Sequence, residues 1–279
     1  MTLILGMSKP EGIYLAVDYR VTHAHTGACL DDTSVKFLTV HYPPDGAGPR
    51  ALLAYTGVAE TPDGTPVGDW LRETMRGQNE PFNDSMQHLG ERLNRDLSRW
   101  LHRYQAPLIV NVLAIEGNKR FLGGFSNMQP NQSVTRKFEY QMKRLTKPQV
   151  FGNGGAAARV IAGGHAIKLS DALEVRPRHP RNHMKLLAVV NRRVARIDQT
   201  VSPYCHVSFI PASDYTKHGP LFEVFVEHGE SVPFNMPMLV QGIDVSYVMQ
   251  QFMQDVQSGA HPLSSLAPDA VNKHLKRLR

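Results

Sequence analysis

Thr2 is small enough for removal of Met1 to expose it, and an N-terminal threonine holds two reactive groups on one residue. Its hydroxyl is a nucleophile, and its α-amine can take the hydroxyl proton directly or through a water. Many chains begin Met-Thr, so the residue gains meaning only from its company. Asp18 closes the run Ala16-Val17-Asp18, and Lys36 follows Asp31-Asp32-Thr33-Ser34-Val35. A lysine beside a terminal amine and hydroxyl lowers both pKa values, because it repels the protonated amine and attracts the developing alkoxide. A carboxylate keeps such a lysine charged and aimed. Strand alternation puts Tyr14, Ala16 and Asp18 on one face, so Asp18 can lie inward beside the first strand. Without Thr2, the same two residues read as a structural ion pair.

The elements that must position these groups follow from periodicity. Thr2–Met7, Gly12–Asp18, Val35–His41 and Ala51–Tyr55 are short runs rich in β-branched, aliphatic and aromatic residues, divided by Gly, Pro, Asp or Ser, and read as two consecutive hairpins. Helices are expected over Asp69–Arg76 and Asn83–Tyr104, the second with Met86, Leu89, Leu93, Leu97 and Leu101 as one apolar stripe. Strands return at Pro107–Ile115, Phe121–Phe125, Ser133–Tyr140 and Gln149–Phe151. A glycine turn from Gly152 feeds a small-residue helix, and another helix covers about Asn182–Gln199. Strands at Cys205–Ile210 and Leu221–Val226 precede helices near Ser246–Gln257 and Asp269–Leu278. Strands in adjacent runs, flanked by pairs of helices, predict an α+β chain folded as a four-layer αββα sandwich with a C-terminal extension. A doubly wound parallel sheet fits this order less well.

The spaced set Thr2-Leu-Ile-Leu-Gly6, Gly12-Ile-Tyr-Leu-Ala16-Val-Asp18-Tyr-Arg20-Val-Thr22, Lys36 and Ala54-Tyr-Thr56-Gly57-Val-Ala-Glu60 resembles proteasome β subunits and the HslV-type bacterial peptidase, which are N-terminal-nucleophile hydrolases. The resemblance is sharpest over residues 2–75, weakens to about 210 and says little about the rest. It implies a domain over 1–212 and an extension over 213–279. It also implies Thr2 as nucleophile, its amine as base, Lys36 as the pKa-lowering charge, Asp18 as the residue orienting Lys36, and Arg20 as a structural neighbour. The Thr56 N–H would sit in an oxyanion hole. The backbone of Thr22 would pair with an extended peptide, and Val21, Leu38 and Ala54 would line a pocket favouring an apolar side chain. Two departures stand out. Asn153, in Gly152-Asn153-Gly154, takes the place of a proton-relaying serine, and Asp198 is followed three places later by Val201, with Ser202 one beyond. An amide hydrogen-bonds but does not relay a proton as a hydroxyl does. The expected activity is therefore threonine-type peptide hydrolysis within a homo-oligomeric ring, with an ATP-dependent unfoldase as a further partner. The alternatives are a noncatalytic scaffold or binding subunit, or an amidase acting on a small amide.

Composition narrows the rest. With 279 residues, 42% hydrophobic and 20% charged, the chain can bury a large core. The net charge of +6 is dispersed, and the basic clusters at 176–181 and 273–279 lack interleaved aromatics, which argues against nucleic acid as a partner. Two distant cysteines, Cys29 and Cys205, suit reduced thiols in the cytoplasm. His23 with His25 and His179 with His183 lack carboxylate or thiolate partners at ligand spacing, so neither a metal nor a cofactor is expected. No signal peptide is read at the start and no apolar run reaches membrane-spanning length, so no membrane partner is expected.

Overall fold

The computed structural model describes residues 2–23, 26–42, 48–129, 131–153, 175, 179–215, 217–226 and 237–258. The glycine turn beyond Asn153 with its small-residue helix, His25, and the helix expected at Asp269–Leu278 lie outside the described residues. The architecture is mixed α/β, with two large sheets and few helices. Strands β1 (Ile4–Lys9), β2 (Gly12–Asp18), β10 (Gln149–Asn153), β11 (Cys205–Pro211) and β12 (Leu221–Phe225) form an antiparallel sheet in the order β10-β1-β2-β11-β12. A seven-stranded sheet runs β14-β13-β5-β6-β7-β8-β9. Its members are β5 (Phe37–His41), β6 (Arg50–Gly57), β7 (Leu108–Glu116), β8 (Lys119–Met128), β9 (Val134–Leu145), β13 (Met238–Val240) and β14 (Ile243–Asp244). A small ribbon joins β3 (Val21–Thr22) to β4 (Cys29–Asp31).

Alternation along the strands of the larger sheet divides the core. Phe37, Leu52, Ala54, Leu113 and Ile115 pack with residues of β1, β2 and β11 and with Met184, Leu187, Val190 and Val194 of helix α4 (Arg181–Ala195). The intervening residues Leu38, Leu53, Tyr55, Val110 and Val112 pack with helices α1 (Val67–Met75), α2 (Phe82–Arg92) and α3 (Ser98–Arg103). The stripe of Met86, Leu89, Leu93, Leu97 and Leu101 is fully buried there, as its period requires. Between α2 and α3 the spacing loosens into a π-helical stretch, Leu93–Leu97. At this stretch the Asn94 side chain accepts from the Phe138 N–H of β9 at 2.9 Å, tying the helix to the sheet.

Three of the described strands past residue 212 join the two sheets. β12 extends the first beside β11, and β13 joins the second in parallel beside β5. Asp244 then starts helix α5 (Val245–Ser258): its Oδ1 accepts the Tyr247 N–H at 3.1 Å, as an N-cap does, and its Oδ2 takes Arg76 at 2.8 Å. No helix among the described residues is long and apolar enough to cross a membrane.

Three histidines are folded into this interior. Burial pushes His41 and His183 down to about 4 and His206 down to about 3. A base whose folded pKa lies below its unfolded value contributes stability that is fully present above the unfolded pKa and is lost as pH falls toward the folded one. Three such groups together are worth roughly 5 kcal/mol between pH 7 and pH 5, so the melting temperature is expected to fall by ~10–20 °C, given about 2–4 °C per kcal/mol at this size. A thermal melt series read by circular dichroism checks this, and a flat profile contradicts it.

Candidate active site

The site forms where the first two strands meet the start of β5. β1 and β2 pair antiparallel with Ile4 opposite Val17, so the chain entering β1 runs beside Asp18 at the end of β2. The Leu3 N–H donates to Asp18 Oδ1 at 2.8 Å, and Asp18 N–H returns a bond to the Leu3 carbonyl at 3.2 Å. The Lys36 ammonium lies 3.6 Å from the same Oδ1. The peptide that follows Thr2 and the Lys36 cation are therefore held on one carboxylate oxygen.

The other oxygen, Oδ2, accepts the Arg20 N–H and the Ser202 N–H, each at 3.1 Å. Asp18 and Lys36 are 1% and 3% exposed, so a buried charge pair is enclosed by backbone donors. Burial pushes the Asp18 carboxyl up, while Lys36 and the three backbone N–H groups pull it back. Burial pushes the Lys36 ammonium down, with Asp18 opposing. Lys36 also donates to the Arg20 carbonyl.

Arg20 braces the surround. Its guanidinium grips Asp32 with two bonds, at 3.0 and 2.5 Å, and reaches the Gln199 carbonyl at 2.8 Å. The turn that carries Gln199 is shaped by Asp198, whose Oδ1 accepts the N–H and hydroxyl of Thr200 at 3.0 and 2.6 Å. Asp198 thus holds the turn, and Ser202 meets Asp18 through its backbone.

Thr2 is 5% exposed, and its carbonyl accepts the Thr56 hydroxyl at 3.5 Å. Thr56 is the penultimate residue of β6, and Gly57 follows with φ at +118°. A Cβ at Gly57 would stand 2.0 Å from the Pro107 carbonyl oxygen, so only glycine allows the strand to end here. Asn153 lies opposite Ile4 and donates to Asn111 Oδ1 at 2.8 Å. Asn111 in turn donates to the Ala54 carbonyl at 3.4 Å, so the pair bridges the two large sheets. Sequence reasoning missed Asn111, although a lone polar residue inside the apolar run Leu108–Ile115 was a visible signal.

Thr56 and Asn153 line a cleft of about 920 Å3. Leu38 and Ala54 are fully buried, the first under the helices and the second in the core shared with β1, β2 and β11, and neither lines this cleft. Val21 and Thr22 are half-buried in β3, opposite Asp31 and Cys29. Cys205 sits across from Asp18, but burial pushes its thiol up, which leaves it protonated and inert. Among the described residues no group of three or more His, Cys, Asp and Glu converges. His179 lies against His218, at 4.1 Å between ring centroids.

Solved structures similar to this chain include Anbu proteins. "Anbu (ancestral beta-subunit)" from Yersinia bercovieri is 12% identical, with 79% of this chain and 86% of that one covered and a TM-score of 0.48. An "Anbu (Gly-1) mutant" from Hyphomicrobium sp. strain MC1 is also 12% identical, with 80% and 87% covered and a TM-score of 0.46. No protein-family model and no curated protein matches the chain. The resemblance to proteasome β subunits and the HslV-type peptidase is corrected accordingly. A spaced set of Thr, Asp, Arg, Lys and Gly is short enough to occur in a chain that no family model and no curated protein matches.

Proposed function

We propose that this chain is a threonine-type hydrolase that cleaves amide bonds of peptides once Thr2 is the first residue. The observation that carries the reading is the shared oxygen of Asp18, which takes the Leu3 N–H at 2.8 Å and holds the Lys36 ammonium at 3.6 Å. Thr2 Oγ1 attacks the carbonyl carbon and its proton passes to the Thr2 amine. Lys36 offsets the charge that develops on oxygen. As the C–N bond breaks, the Thr2 ammonium returns that proton to the leaving nitrogen. Water, deprotonated by the amine, then cleaves the acyl ester and restores the hydroxyl. Hydrolysis assays on the protein and on Thr2→Ala test this reading.

The supporting body is proposed as four layers: α1–α3, the seven-stranded sheet, the five-stranded sheet and α4. In this reading residues 213–279 are an extension, of which β12 edges one sheet and β13 with β14 the other. One observation favours a noncatalytic role instead: Asn153, an amide that does not relay protons, lies beside the start of β1.

Homo-oligomerisation belongs to the same proposal and is supported by α5. This 14-residue helix buries its one charged residue, Asp255, while Met249, Phe252, Met253 and Val256 are exposed along one face. A helix with its apolar stripe outward has reversed polarity, and a second copy of the chain would cover it. Sedimentation at micromolar concentration is expected to show an assembly that Phe252→Glu shifts toward monomer, and a monomeric parent chain contradicts it.

A further inference from the structure

The cleft beside Thr56 is floored by a cross-strand row. Thr56 of β6 pairs with Ile109 of β7, Ile109 with Ser126 of β8, and Ser126 with Glu139 of β9. All four line the same cleft of about 920 Å3. Three strand spacings separate the ends of the row, about 14 Å. An extended chain covers that distance in about four residues. The next row, Ala54, Asn111, Gly124 and Gln141, places a glycine where a side chain would otherwise rise from the floor. Gly124 has φ at +146°, and a Cβ there would stand 1.9 Å from the Val110 carbonyl oxygen, so this part of the floor stays bare.

The lining mixes apolar groups, among them Pro107, Ile109, Phe125 and Met128, with polar ones. Gln129, Gln132 and Gln141 stand along it, and Glu139 is the one ionisable residue among the lining groups. Glu139 is exposed, and one of its carboxylate oxygens accepts the Gln129 amide at 3.0 Å. Its second oxygen is left to the cleft. Alternation along β9 puts Lys137 and Lys143 on the Glu139 face, but neither lines the cleft.

We propose that this floor holds an extended peptide for about four residues beyond Thr56, and that Glu139 selects a cationic group at its far end. The assignment rests on the Thr2 reading for the position of the scissile bond, whereas the binding it requires is measurable without turnover. The probe is a pair of fluorescein-labelled six-residue peptides, identical except for a terminal lysine or glutamate, read by anisotropy against the parent protein and Glu139→Gln. The lysine peptide is expected to bind the parent two- to fivefold more tightly, the range of an exposed charge pair, and Glu139→Gln to equalise the two. Equal binding to the parent, a preference unchanged in Glu139→Gln, or no binding of either peptide at millimolar concentration overturns the proposal. Lysine preference without Thr2-dependent hydrolysis would leave the binding floor standing and remove the threonine chemistry. Hydrolysis without the preference would do the reverse.

Discussion

Replacing Thr2 with alanine is expected to lower kcat by at least ~10³-fold, because the substitution removes the attacking atom, and the neighbouring Thr56 hydroxyl has no α-amine of its own to take its proton. The Cys205 thiol opposite Asp18 is buried and protonated. Thr2→Ser keeps the hydroxyl and the amine, so it is expected to retain measurable turnover. The pair of variants separates loss of the nucleophile from disturbance of the terminus. Thr2 is 5% exposed and meets Thr56 through its own carbonyl, a backbone contact that alanine preserves. Melting temperatures of Thr2→Ala and the parent should therefore agree, and a steady-state assay on a fluorogenic peptide reads the difference. Equal turnover in Thr2→Ala and the parent would remove the threonine from the chemistry.

Asp18→Ala carries the largest expected loss of stability. One carboxylate satisfies the N–H groups of Leu3, Arg20 and Ser202 and balances the Lys36 cation in an environment closed to water. Its removal leaves a buried lysine uncompensated, for which about 3–5 kcal/mol is expected. Chemical denaturation of the purified variant measures the cost, and a loss under about 1 kcal/mol would show that the network is exposed or rearranged. Asp18→Asn is expected to fall between the two, since an amide keeps one acceptor but presents donors to groups that are themselves donors.

The parts of this arrangement that side-chain chemistry and strand period dictate were legible before the fold was known. Asp18 and Lys36 are opposite charges at strand ends, and the stripe from Met86 to Leu101 is a helical period that the structure buries in full. What closes the site is main chain. The Ser202 N–H and the Arg20 carbonyl are recruited by register and turn geometry, and no residue type advertises them. Leu38, two residues after Lys36 and so of the same strand parity, does not share its direction. Lys36 precedes the first residue of β5, and its side chain reaches Asp18 while Leu38 packs under the helices. Parity counted from a residue outside the paired strand does not fix its direction. The short ribbon of β3 and β4 and the three-residue β13 were missed for a different reason. Segments of two or three residues are too brief to show a period, and β13 finds its parallel partner β5 nearly two hundred residues away in the chain. The extra length of β9, which runs to Leu145, is hidden by its charged exposed residues.

The most direct test is acid quenching during turnover of a peptide substrate, followed by mass spectrometry of the N-terminal fragment. The account predicts a chain that begins at Thr2, with the acyl mass carried as an ester on its hydroxyl and the α-amine free. Active protein that retains Met1, or an acyl group located on any other residue, would contradict it.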